Sequence, residues 1–477
     1  MNYNISFDVS LISGISADSR KVQKGFLFVA LPGGKNDGRL FITDAIRNGA
    51  KYIAVQAGTP KQDIGAVEWI EVKNPREFLA RTAASFYQKQ PEHIVAVTGT
   101  NGKTSTVNFA RMIWEGLSVK AASLGTLGLI GNGLQGYAGM TTPDPVSLFS
   151  TLAEVSSKGF DYLAMEASSH GLHQHRLDGV KIQAAGFTNL TRDHLDYHGS
   201  MKDYLSSKIR LFTDIVSRDG VAVLNADIPE FQDIALTVKS CGLKIISYGF
   251  SPLADIRILE RSAVVDGQDL VLNVFGKSYT VHLNLVGAFQ AMNVLCAVGL
   301  VLADRKFTPE TVMPVLPRLV GVIGRLQPVS HGLKDIGIYI DYAHTPDGLE
   351  TILTALRPHT TGRLICVFGC GGDRDKGKRP VMGEIAARLS DIAIVTDDNP
   401  RTENPDVIRS EILSGASGLI NIAGRRSAIQ KAVQYLQAGD VLVVAGKGHE
   451  QGQIFATHTE PFDDLTEIQT AISSLSY

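Results

Sequence analysis

Cysteine and tryptophan are scarce in this chain, which has 477 residues but four cysteines and two tryptophans. Four cysteines (Cys241, Cys296, Cys366 and Cys370) are too few for a disulfide framework, and no two of them form a Cys-x-x-Cys pair. A surplus of one charge is also missing, because 46 Lys and Arg residues stand against 48 Asp and Glu residues. Nucleic-acid-binding surfaces usually carry a basic excess, so a nucleic-acid partner is not expected.

Long apolar runs are absent as well. No stretch approaches the ~18 apolar residues that a membrane helix needs, and the first residues lack the basic and apolar segments of an export signal. We therefore expect a cytoplasmic protein without membrane insertion. What the sequence does contain is 44% hydrophobic residues, 47 glycines and 18 prolines, which is typical of compact α/β domains with many tight turns. At ~150 residues per domain, the length predicts about three domains.

Apolar, strand-like runs divide the chain into three parts. Residues 1–90 hold short runs such as 25–31 and a helical stretch at 77–88. Residues 91–324 open with the β-branched run 93–98, which suits a parallel strand buried on both faces. Residues 325–477 again alternate strands and helices. Further strands are predicted at 162–165, 185–188, 220–224, 336–340, 364–368, 392–396 and 441–444. We predict an α/β fold with a small α/β N-terminal domain, a central P-loop ATPase-like parallel-sheet domain and a C-terminal Rossmann-like domain.

A phosphate-binding loop is the strongest local motif. The strand predicted at 93–98 runs directly into Gly99-Thr-Asn-Gly-Lys-Thr104, and a helical stretch follows. Glycines let backbone N–H groups face phosphate oxygens, and the N-terminus of the helix adds a favourable electrostatic field. Lys103 would neutralise the β- and γ-phosphates, and the Thr104 hydroxyl would reach Mg²⁺. We therefore expect ATP binding, with a plain turn between strand and helix as the structural alternative.

Acidic and histidine side chains follow the next predicted strands. Glu166 stands where a Walker-B-type carboxylate belongs, and five of the twelve histidines fall between His170 and His198. A structural zinc site would need ligand spacings that this stretch lacks, and no cysteine is near. Oxygen ligands on Mg²⁺ are the favoured interpretation beside a phosphate loop. Hydrogen-bonded loop histidines are the structural alternative.

A second glycine turn follows the strand predicted at 364–368. Gly369-Cys-Gly-Gly-Asp-Arg374 imitates a dinucleotide fingerprint, and Asp398 at the end of the next strand imitates its ribose-binding acid. Arg374 stands where the third glycine of Gly-x-Gly-x-x-Gly belongs and would crowd the packing of helix on strand. The sequence therefore favours NAD binding only weakly.

Six motifs in a fixed order carry a family resemblance. They are Gly99-Thr-Asn-Gly-Lys-Thr104, Met165-Glu-Ala-Ser-Ser-His-Gly171, Asp193-His-Leu-Asp-Tyr-His198, Ser207-Lys-Ile-Arg-Leu-Phe212, Asp341-Tyr-Ala-His-Thr-Pro-Asp347 and Asp398-Asn-Pro-Arg401. In these motifs the chain resembles the Mur ligases, from Asp18 to Glu450. The resemblance implies ATP-dependent addition of meso-2,6-diaminopimelate to UDP-N-acetylmuramoyl-L-alanyl-D-glutamate in peptidoglycan synthesis. The D-Glu carboxylate would attack the γ-phosphate, and the incoming amine would displace phosphate from the acyl phosphate.

The resemblance also implies roles for individual residues. The catalytic residues would be Lys103, Glu166, His194 and Lys208, and Mg²⁺ would be held by Thr104, Glu166, His194 and a carbamate on Lys208 (N6-carboxylysine). The ATP contacts would be Gly99, Thr100, Asn101, Gly102, Lys103, Thr104, Ser105, Asn293, Arg325 and Asp341. The contacts to the UDP-muramoyl-dipeptide would be Ser19, Gly34, Lys35, Asn36, Thr141, Thr142, Ser168, Gln174 and Arg176. The contacts to diaminopimelate would be Arg374, Asp398, Asn399, Pro400, Arg401, Gly446 and Glu450.

The chemistry of the last set suits a dicarboxylic diamino acid. Arg374 and Arg401 can each hold a carboxylate bidentately, and Asp398 and Glu450 can receive ammonium groups. Lysine-adding members of the family usually lack the arginine of Asp-Asn-Pro-Arg. We expect small-molecule substrates and a monomer.

Alternatives remain open at two levels. For single residues they are a hydrogen bond within a helix for Asn293, a solvated linker charge for Arg325 and a helix-surface position for Lys208. For the whole chain they are a folylpolyglutamate-type synthase, a nucleotide-gated binding protein without turnover and an NAD oxidoreductase. The Asp-Asn-Pro-Arg and Thr-Thr-Pro-Asp motifs disfavour the first of these three.

Overall fold

The computed structural model describes residues 7–33, 37–61, 67–134, 140–264 and 267–475. Within it the chain forms two compact units. The first consists of Met1–Ile256 and Leu295–Pro309, and the second of Arg257–Val294 and Glu310–Tyr477. None of the helices in the described ranges combines the length and the apolar character that crossing a bilayer requires.

A four-stranded parallel sheet begins the first unit. Its elements are β1 (Gly14–Ser16), β2 (Phe26–Val29), α1 (Ile42–Arg47), β3 (Tyr52–Gln56), β4 (Glu68–Val72) and α2 (Pro75–Tyr87). The strands follow one another in the order β1-β2-β3-β4, and Leu27, Val29, Tyr52 and Phe78 share one buried cluster. This sheet with its helices is the small α/β part expected at the N-terminus.

Helix α2 begins two residues before the predicted position 77. Its start is fixed by Asn74, whose Oδ1 accepts hydrogen bonds from the N–H groups of Arg76 (3.1 Å) and Glu77 (3.4 Å). Pro75 occupies the first helical position, where a missing N–H costs nothing. The Asn-Pro pair was therefore a start signal that the apolar periodicity alone did not show.

A mostly parallel sheet forms the rest of the first unit. Its elements are β5 (His93–Thr98), α3 (Lys103–Gly116), β6 (Ala121–Gly125), β7 (Gly128–Ile130), α4 (Pro145–Ser157), β8 (Tyr162–Glu166), α5 (Ser169–His173), β9 (Ile182–Phe187), α6 (Leu195–His198), α7 (Met201–Arg210), β10 (Val216–Asn225), α8 (Phe231–Ser240) and β11 (Lys244–Gly249). Within this unit the order is β11-β10-β9-β5-β8-β6-β7. Strand β5 is parallel to β8 on one side and to β9 on the other. The segments that follow Thr98, Glu166 and Phe187 therefore start at one edge of the sheet, where ligands of open α/β sheets bind.

The second unit contains a six-stranded sheet together with other strands and helices. Its elements are β12 (Ile256–Val264), β13 (Gly267–Val274), β14 (Lys277–Leu283), α9 (Ala288–Leu302, which runs across the division between the units), α10 (Pro309–Val312), β15 (Gln327–Pro328), β16 (Gly337–Asp341), α11 (Pro346–Leu356), β17 (Leu364–Phe368), α12 (Lys378–Leu389), β18 (Ile392–Val395), α13 (Pro405–Leu413), β19 (Ile420–Asn421), α14 (Arg425–Tyr435), β20 (Val441–Ala445), β21 (Gly452–Ile454), β22 (Thr459–Pro461) and α15 (Asp464–Ser473). In the six-stranded sheet the strand order is β15-β16-β20-β17-β18-β19. Alternate residues of β17 enter opposite cores, with Cys366 and Phe368 in one and Ile365 and Val367 in the other.

The predicted α/β class with parallel-rich sheets is confirmed. The strands expected at 93–98 and 364–368 have those bounds, and the others overlap the observed strands with shifted ends. The antiparallel pair β13 and β14 was not predicted. From Asp269 to Val274, buried residues of β13 alternate with more exposed ones. The domain bounds 1–90, 91–324 and 325–477 stay a prediction.

Candidate active site

The loop after β5 is held in shape by the segment after β9. Gly99 has a φ of 139°, and a Cβ there would lie 1.9 Å from the Thr188 hydroxyl oxygen, so only glycine fits. The Thr188 hydroxyl donates to the carbonyl of Asn101 (2.5 Å), and the Asn101 N–H donates to Asn189 Oδ1 (2.8 Å). Gly102 precedes α3 in a left-handed conformation. The predicted phosphate loop therefore connects a buried strand to a helix N-terminus, as nucleotide binding requires.

Two lysines meet at the carbonyls of this loop. Lys103 Nζ donates to the carbonyls of Gly99 (3.0 Å) and Thr100 (2.7 Å), and Lys208 Nζ donates to the carbonyl of Gly99 (2.7 Å). The Lys208 side chain is buried against the Tyr204 ring, whose centroid lies 4.2 Å from Nζ. Burial, reinforced by the Lys103 ammonium, lowers the pKa of Lys208 well below its ordinary value. The helix-surface alternative for Lys208 is wrong, since this lysine lies beneath the phosphate loop.

Glu166 lies at the end of β8 with both carboxylate oxygens directed at one threonine. Its Oε1 accepts from the Thr126 N–H (2.8 Å), and its Oε2 accepts from the Thr126 hydroxyl (3.3 Å). That hydroxyl is 3.0 Å from the Thr141 hydroxyl. A carboxylate has about four lone-pair positions, so Glu166 keeps acceptor capacity for a cation. The buried position fits a fixed ligand rather than a solvated charge.

Four of the five histidines of residues 170–198 form an aromatic cluster, and His175 lies outside it. The His170 ring centroid lies 4.8 Å from that of His194 and 5.5 Å from that of His198. Burial and these neighbouring rings lower the pKa of His170 to about 4, which keeps the ring neutral near pH 7. Among the described residues, one group of three His, Asp or Glu side chains has ligand atoms within 4.8 Å of one another, namely Glu77, His175 and Asp178. In the described part of the chain, the other four histidines therefore belong to no group of ligand atoms that would support a zinc site.

The residues predicted to hold the muramoyl-dipeptide are linked by hydrogen bonds. Thr142 Oγ1 accepts from the Ser168 N–H and contacts the Ser168 hydroxyl, both at 3.0 Å. Arg176 Nη1 donates to the Thr142 carbonyl and Nη2 to Gln174 Oε1, both at 2.7 Å. Thr141 joins this set through Thr126. The structure therefore brings together these five predicted residues of the first unit.

A cavity of about 520 Å³ lies beside this set. Gln174 and Arg176 line it, together with Asp18 from the loop after β1 and Arg76 from helix α2. Ser19, predicted to contact the uridine nucleotide, is buried next to Asp18, and its carbonyl accepts from Asn48 Nδ2 (2.8 Å). The other predicted contacts in this region, Gly34, Lys35 and Asn36, lie outside the described residues.

The remaining predicted nucleotide residues form a chain of contacts in the second unit. Asn293 Nδ2 donates to Gln290 Oε1 (3.1 Å), and Gln290 Nε2 donates to the Arg325 carbonyl (3.1 Å). Asp341 accepts from the N–H groups of Leu326 (2.6 Å) and Ala343 (2.7 Å). Burial raises the pKa of Asp341 despite the nearby Arg325 guanidinium. The hydrogen bond within helix α9 that was the alternative for Asn293 is present.

The residues predicted to hold diaminopimelate converge at the carboxyl edge of the second sheet. Asn399 Nδ2 donates to Glu450 Oε2 (2.7 Å), and Arg401 Nη1 donates to the Gly372 carbonyl (2.9 Å). Gly446 has a φ of 114°, and a Cβ there would lie 2.6 Å from Asp398 Oδ2. The loop that carries Arg374 is tied to the same edge, since the Thr402 hydroxyl donates to Asp373 Oδ1 (2.6 Å).

Two further residues at this edge were missed by sequence reasoning. Lys447 is fully buried, and its Nζ donates to Asn399 Oδ1 (2.8 Å) and to the Gly452 carbonyl (2.6 Å). Burial lowers the pKa of Lys447 below its ordinary value. Arg425 is also buried and makes two 2.7 Å bonds to Asp464. A lysine two positions after the end of the apolar strand β20 was the signal for the first, whereas the partner of Arg425 is 39 positions away.

Comparison with known proteins gives a consistent family assignment. Three family models match this chain: "Mur ligase family, catalytic domain" over residues 11–87, "Mur ligase middle domain" over 97–301 and "Mur ligase, glutamate ligase domain" over 324–448. A UDP-N-acetylmuramoyl-L-alanyl-D-glutamate–2,6-diaminopimelate ligase from Caulobacter vibrioides is 50% identical over 471 residues, which cover 98% of this chain and 96% of that protein.

Solved structures agree with this assignment. The structure of a UDP-N-acetylmuramoyl-L-alanyl-D-glutamate–2,6-diaminopimelate ligase matches with a TM-score of 0.73 and 33% identity, covering 97% of this chain and 95% of that one. The crystal structure of a MurF ligase from Thermotoga maritima in complex with ADP shares the fold, with a TM-score of 0.65, 19% identity and 98% of each chain covered. With half of its residues identical to one such ligase over nearly its full length, this chain belongs to the Mur ligase family.

Proposed function

We propose that this Mur ligase joins meso-2,6-diaminopimelate to the D-Glu carboxyl group of UDP-N-acetylmuramoyl-L-alanyl-D-glutamate, with ATP as the energy source, in the synthesis of peptidoglycan precursors. The observation that carries the choice of amino acid is the convergence of Asp398, Asn399, Arg401 and Glu450 at one sheet edge. Relatives that are 44–50% identical are named as 2,6-diaminopimelate ligases, which supports it.

The reaction needs activation because a carboxylate is a poor electrophile. Attack of a D-Glu carboxylate oxygen on the γ-phosphorus of ATP gives an acyl phosphate and ADP. The amine of diaminopimelate then attacks the acyl carbon, and phosphate leaves with the carboxylate oxygen that attacked. The protein contributes little covalent chemistry, so positioning and neutralisation of charge dominate.

The phosphate loop is proposed to hold ATP through Gly99, Thr100, Asn101, Gly102, Lys103, Thr104 and Ser105. In the structure Lys103 Nζ binds the carbonyls of Gly99 and Thr100. On nucleotide binding we expect this ammonium to exchange those neutral acceptors for the β- and γ-phosphate oxygens, because an anionic oxygen attracts the ammonium more strongly than a neutral carbonyl does. Asn293, Arg325 and Asp341 are proposed as the further nucleotide contacts.

The donor set proposed for Mg²⁺ suits a hard cation. Thr104, Glu166 and a carbamate on Lys208 offer oxygen ligands, with His194 as the nitrogen ligand, and the buried Glu166 carboxylate keeps acceptor capacity. When bound, Mg²⁺ would supply neutralisation of phosphate charge. Lys208 would contribute as a carbamate because its buried amine, beside the Lys103 ammonium, favours the neutral form that reacts with CO₂.

Two substrates remain to be placed. The UDP-muramoyl-dipeptide is proposed to contact Ser19, Gly34, Lys35, Asn36, Thr141, Thr142, Ser168, Gln174 and Arg176. Diaminopimelate is proposed to contact Arg374, Asp398, Asn399, Pro400, Arg401, Gly446 and Glu450. In this site Arg374 and Arg401 bind carboxylates, while Asp398 and Glu450 receive the ammonium groups. We also propose that the enzyme works in the cytoplasm as a monomer.

A phosphate-release assay tests the proposal. ATP, Mg²⁺, UDP-N-acetylmuramoyl-L-alanyl-D-glutamate and a panel of amines are supplied together and with each component left out in turn. We expect sustained phosphate release only when the UDP-dipeptide and diaminopimelate are both present. Sustained release without diaminopimelate would contradict the proposed choice of amino acid. No release with the full set would contradict the proposal and leave the binding protein without turnover as the better account.

A further inference from the structure

His175 stands between two residues of the proposed dipeptide site in an uncommon conformation. Its φ is 58°, in the left-handed region that non-glycine residues rarely occupy. Gln174 precedes it and Arg176 follows it, and both line the 520 Å³ cavity. A residue in this position sets the direction of both side chains, so whatever holds its ring also holds them.

The His175 ring is held from two sides by different parts of the first unit. Its Nδ1 lies 3.0 Å from Asp178 Oδ2, and its Nε2 lies 3.1 Å from Asn74 Nδ2. Asn74 is the residue that caps helix α2, and its Oδ1 is committed to the N–H groups of Arg76 and Glu77. Nδ2 is therefore the atom that donates to the ring, and Nε2 must accept.

These bonds fix one tautomer. Because Nε2 accepts from Asn74, the ring proton sits on Nδ1 and is donated to the Asp178 carboxylate. Asp178 is buried, and hydrogen bonds from His175 and Arg210 lower its pKa although burial opposes them. The carboxylate is thus a fixed, ionised acceptor, and a neutral His175 satisfies a donor on one side and an acceptor on the other.

Arg210 extends the same network toward helix α7. Its Nη2 donates to Asp178 Oδ2 (2.7 Å) and its Nη1 to the Leu172 carbonyl (2.9 Å). Arg210 is two positions from Lys208 on α7. Asp178 therefore joins the turn with Gln174 and Arg176 to the helix of the proposed carbamate.

A cation is the competing occupant, since Glu77, His175 and Asp178 place ligand atoms within 4.8 Å of one another. The charges argue against it. Arg210 already donates to Asp178 Oδ2 at 2.7 Å, and Arg81 Nε donates to Glu77 Oε1 at 2.9 Å. A divalent ion would meet both guanidinium groups, and it would have to displace either Asn74 from Nε2 or the proton from Nδ1.

We propose that His175 is a positioning residue that fixes Gln174 and Arg176 for the UDP-muramoyl-dipeptide, through a neutral ring held between Asn74 and Asp178. The inference rests on the proposed function for the identity of this substrate. The proposal gives the His175 ring a role in substrate affinity. It also accounts for the left-handed backbone of His175, which turns both neighbouring side chains toward the cavity.

His175→Gly is the deciding variant because glycine accepts the left-handed backbone and removes the ring alone. We expect its Kd for UDP-N-acetylmuramoyl-L-alanyl-D-glutamate, measured by calorimetry, and its KM for that substrate to rise about 10-fold or more. Its kcat and its KM for ATP should change by less than about 3-fold. Asn74→Ser, which keeps a good helix cap but loses the donor to Nε2, should shift the same two constants in the same direction. The control is His282→Ala. His282 lies on β14 and pairs at the surface with Asp269 on β13, so this variant should match the wild type.

Three results would overturn the inference. One is an unchanged Kd and KM for the UDP-dipeptide in His175→Gly, which would leave the residue with a backbone role only. Another is a loss confined to kcat. The third is a stoichiometric divalent metal, found by elemental analysis in the wild type and lost in His175→Gly. A wild type that binds the UDP-dipeptide but joins no diaminopimelate to it would count against the proposed function alone, because the binding comparison needs no turnover.

Discussion

Lys208 and Arg401 both donate hydrogen bonds to backbone carbonyls. Lys208 Nζ binds the carbonyl of Gly99, and Arg401 Nη1 binds that of Gly372. Arg401 has a φ of 52°, which directs its side chain back toward this turn. A neutral carbonyl holds either an amine or a guanidinium in place and adds no counter-charge. Each of these two side chains therefore keeps the property that its proposed role requires, a reactive amine in the first case and a full positive charge in the second.

Replacement of Lys208 by alanine should lower kcat by at least about 100-fold, because the loop would lose the anionic oxygen ligands of the proposed carbamate. Added small carboxylates such as acetate should restore part of the activity by occupying the vacated volume. Steady-state kinetics at increasing acetate concentration measure both effects. Lys202→Ala, on the exposed face of the same helix, is the matched control. Full activity of Lys208→Ala without acetate would refute the role.

Replacement of Arg401 by alanine should change the choice of amino acid. Diaminopimelate differs from lysine by one distal carboxylate, and a charge-assisted hydrogen bond to it contributes ~1.5–3 kcal/mol. The kcat/KM for diaminopimelate should fall by roughly 10- to 150-fold, whereas that for lysine should hold or rise, since a half-buried guanidinium without a carboxylate partner no longer opposes lysine.

The control for Arg401 is Arg426→Ala, which removes an exposed arginine paired with Glu467. It should keep the wild-type preference for diaminopimelate. The KM for ATP and for the UDP-dipeptide should barely change in either variant, because the residues proposed for those ligands lie elsewhere in the chain. An Arg401→Ala enzyme with unchanged preference would show that another side chain reads the distal carboxylate.

At the scale of secondary-structure elements, helices α14 and α15 carry two ion pairs of different kinds. Arg425 and Asp464 are both buried and share two 2.7 Å bonds, whereas Arg426, paired with Glu467, has 62% of its side chain exposed. The pairs are one residue apart on α14 and three apart on α15. A comparison of the two pairs therefore measures how burial changes the contribution of an ion pair to stability, at nearly the same place in the structure.

Asp464→Ala should lower the free energy of unfolding by about 3–5 kcal/mol, because it leaves the Arg425 guanidinium buried without its counter-charge. Glu467→Ala should cost at most about 1 kcal/mol, since the Arg426 guanidinium that loses its partner is exposed to solvent. Urea denaturation followed by circular dichroism measures both. Equal losses in the two variants would contradict the assignment of Arg425–Asp464 as a buried structural pair.

Other elements show which features of the fold and the site can be predicted from the sequence. Strands β5 and β17 were predicted with their observed bounds, because runs of β-branched and apolar residues that end in glycine turns are governed by local composition. The phosphate loop and the Asp-Asn-Pro-Arg segment could be recognised for the same reason. Roles that depend on partners far away in the sequence could not be recognised. The bond from Lys447 to Asn399 joins residues 48 positions apart, and the Asn74–His175 bond joins residues 101 positions apart.

At the scale of the whole molecule, the residues assigned to the reaction are distributed along nearly the entire chain. The phosphate loop, Glu166 and Lys208 belong to the first unit, and Asn293, Arg401 and Glu450 to the second. A family match over 98% of the chain covers all of them. The proposed reaction therefore draws on the complete set rather than on one motif, and the central feature of the proposal is an acyl phosphate made from the substrate's own carboxylate.

Transfer of a carboxylate oxygen tests this feature most directly. UDP-N-acetylmuramoyl-L-alanyl-D-glutamate labelled with ¹⁸O in the reacting D-Glu carboxylate is turned over with ATP and diaminopimelate, and the released phosphate is analysed by mass spectrometry. If the carboxylate attacks the γ-phosphorus and the amine then displaces phosphate, each phosphate carries one ¹⁸O from the labelled group. Phosphate that forms without the label, with water as the source of its new oxygen, would contradict the acyl-phosphate route.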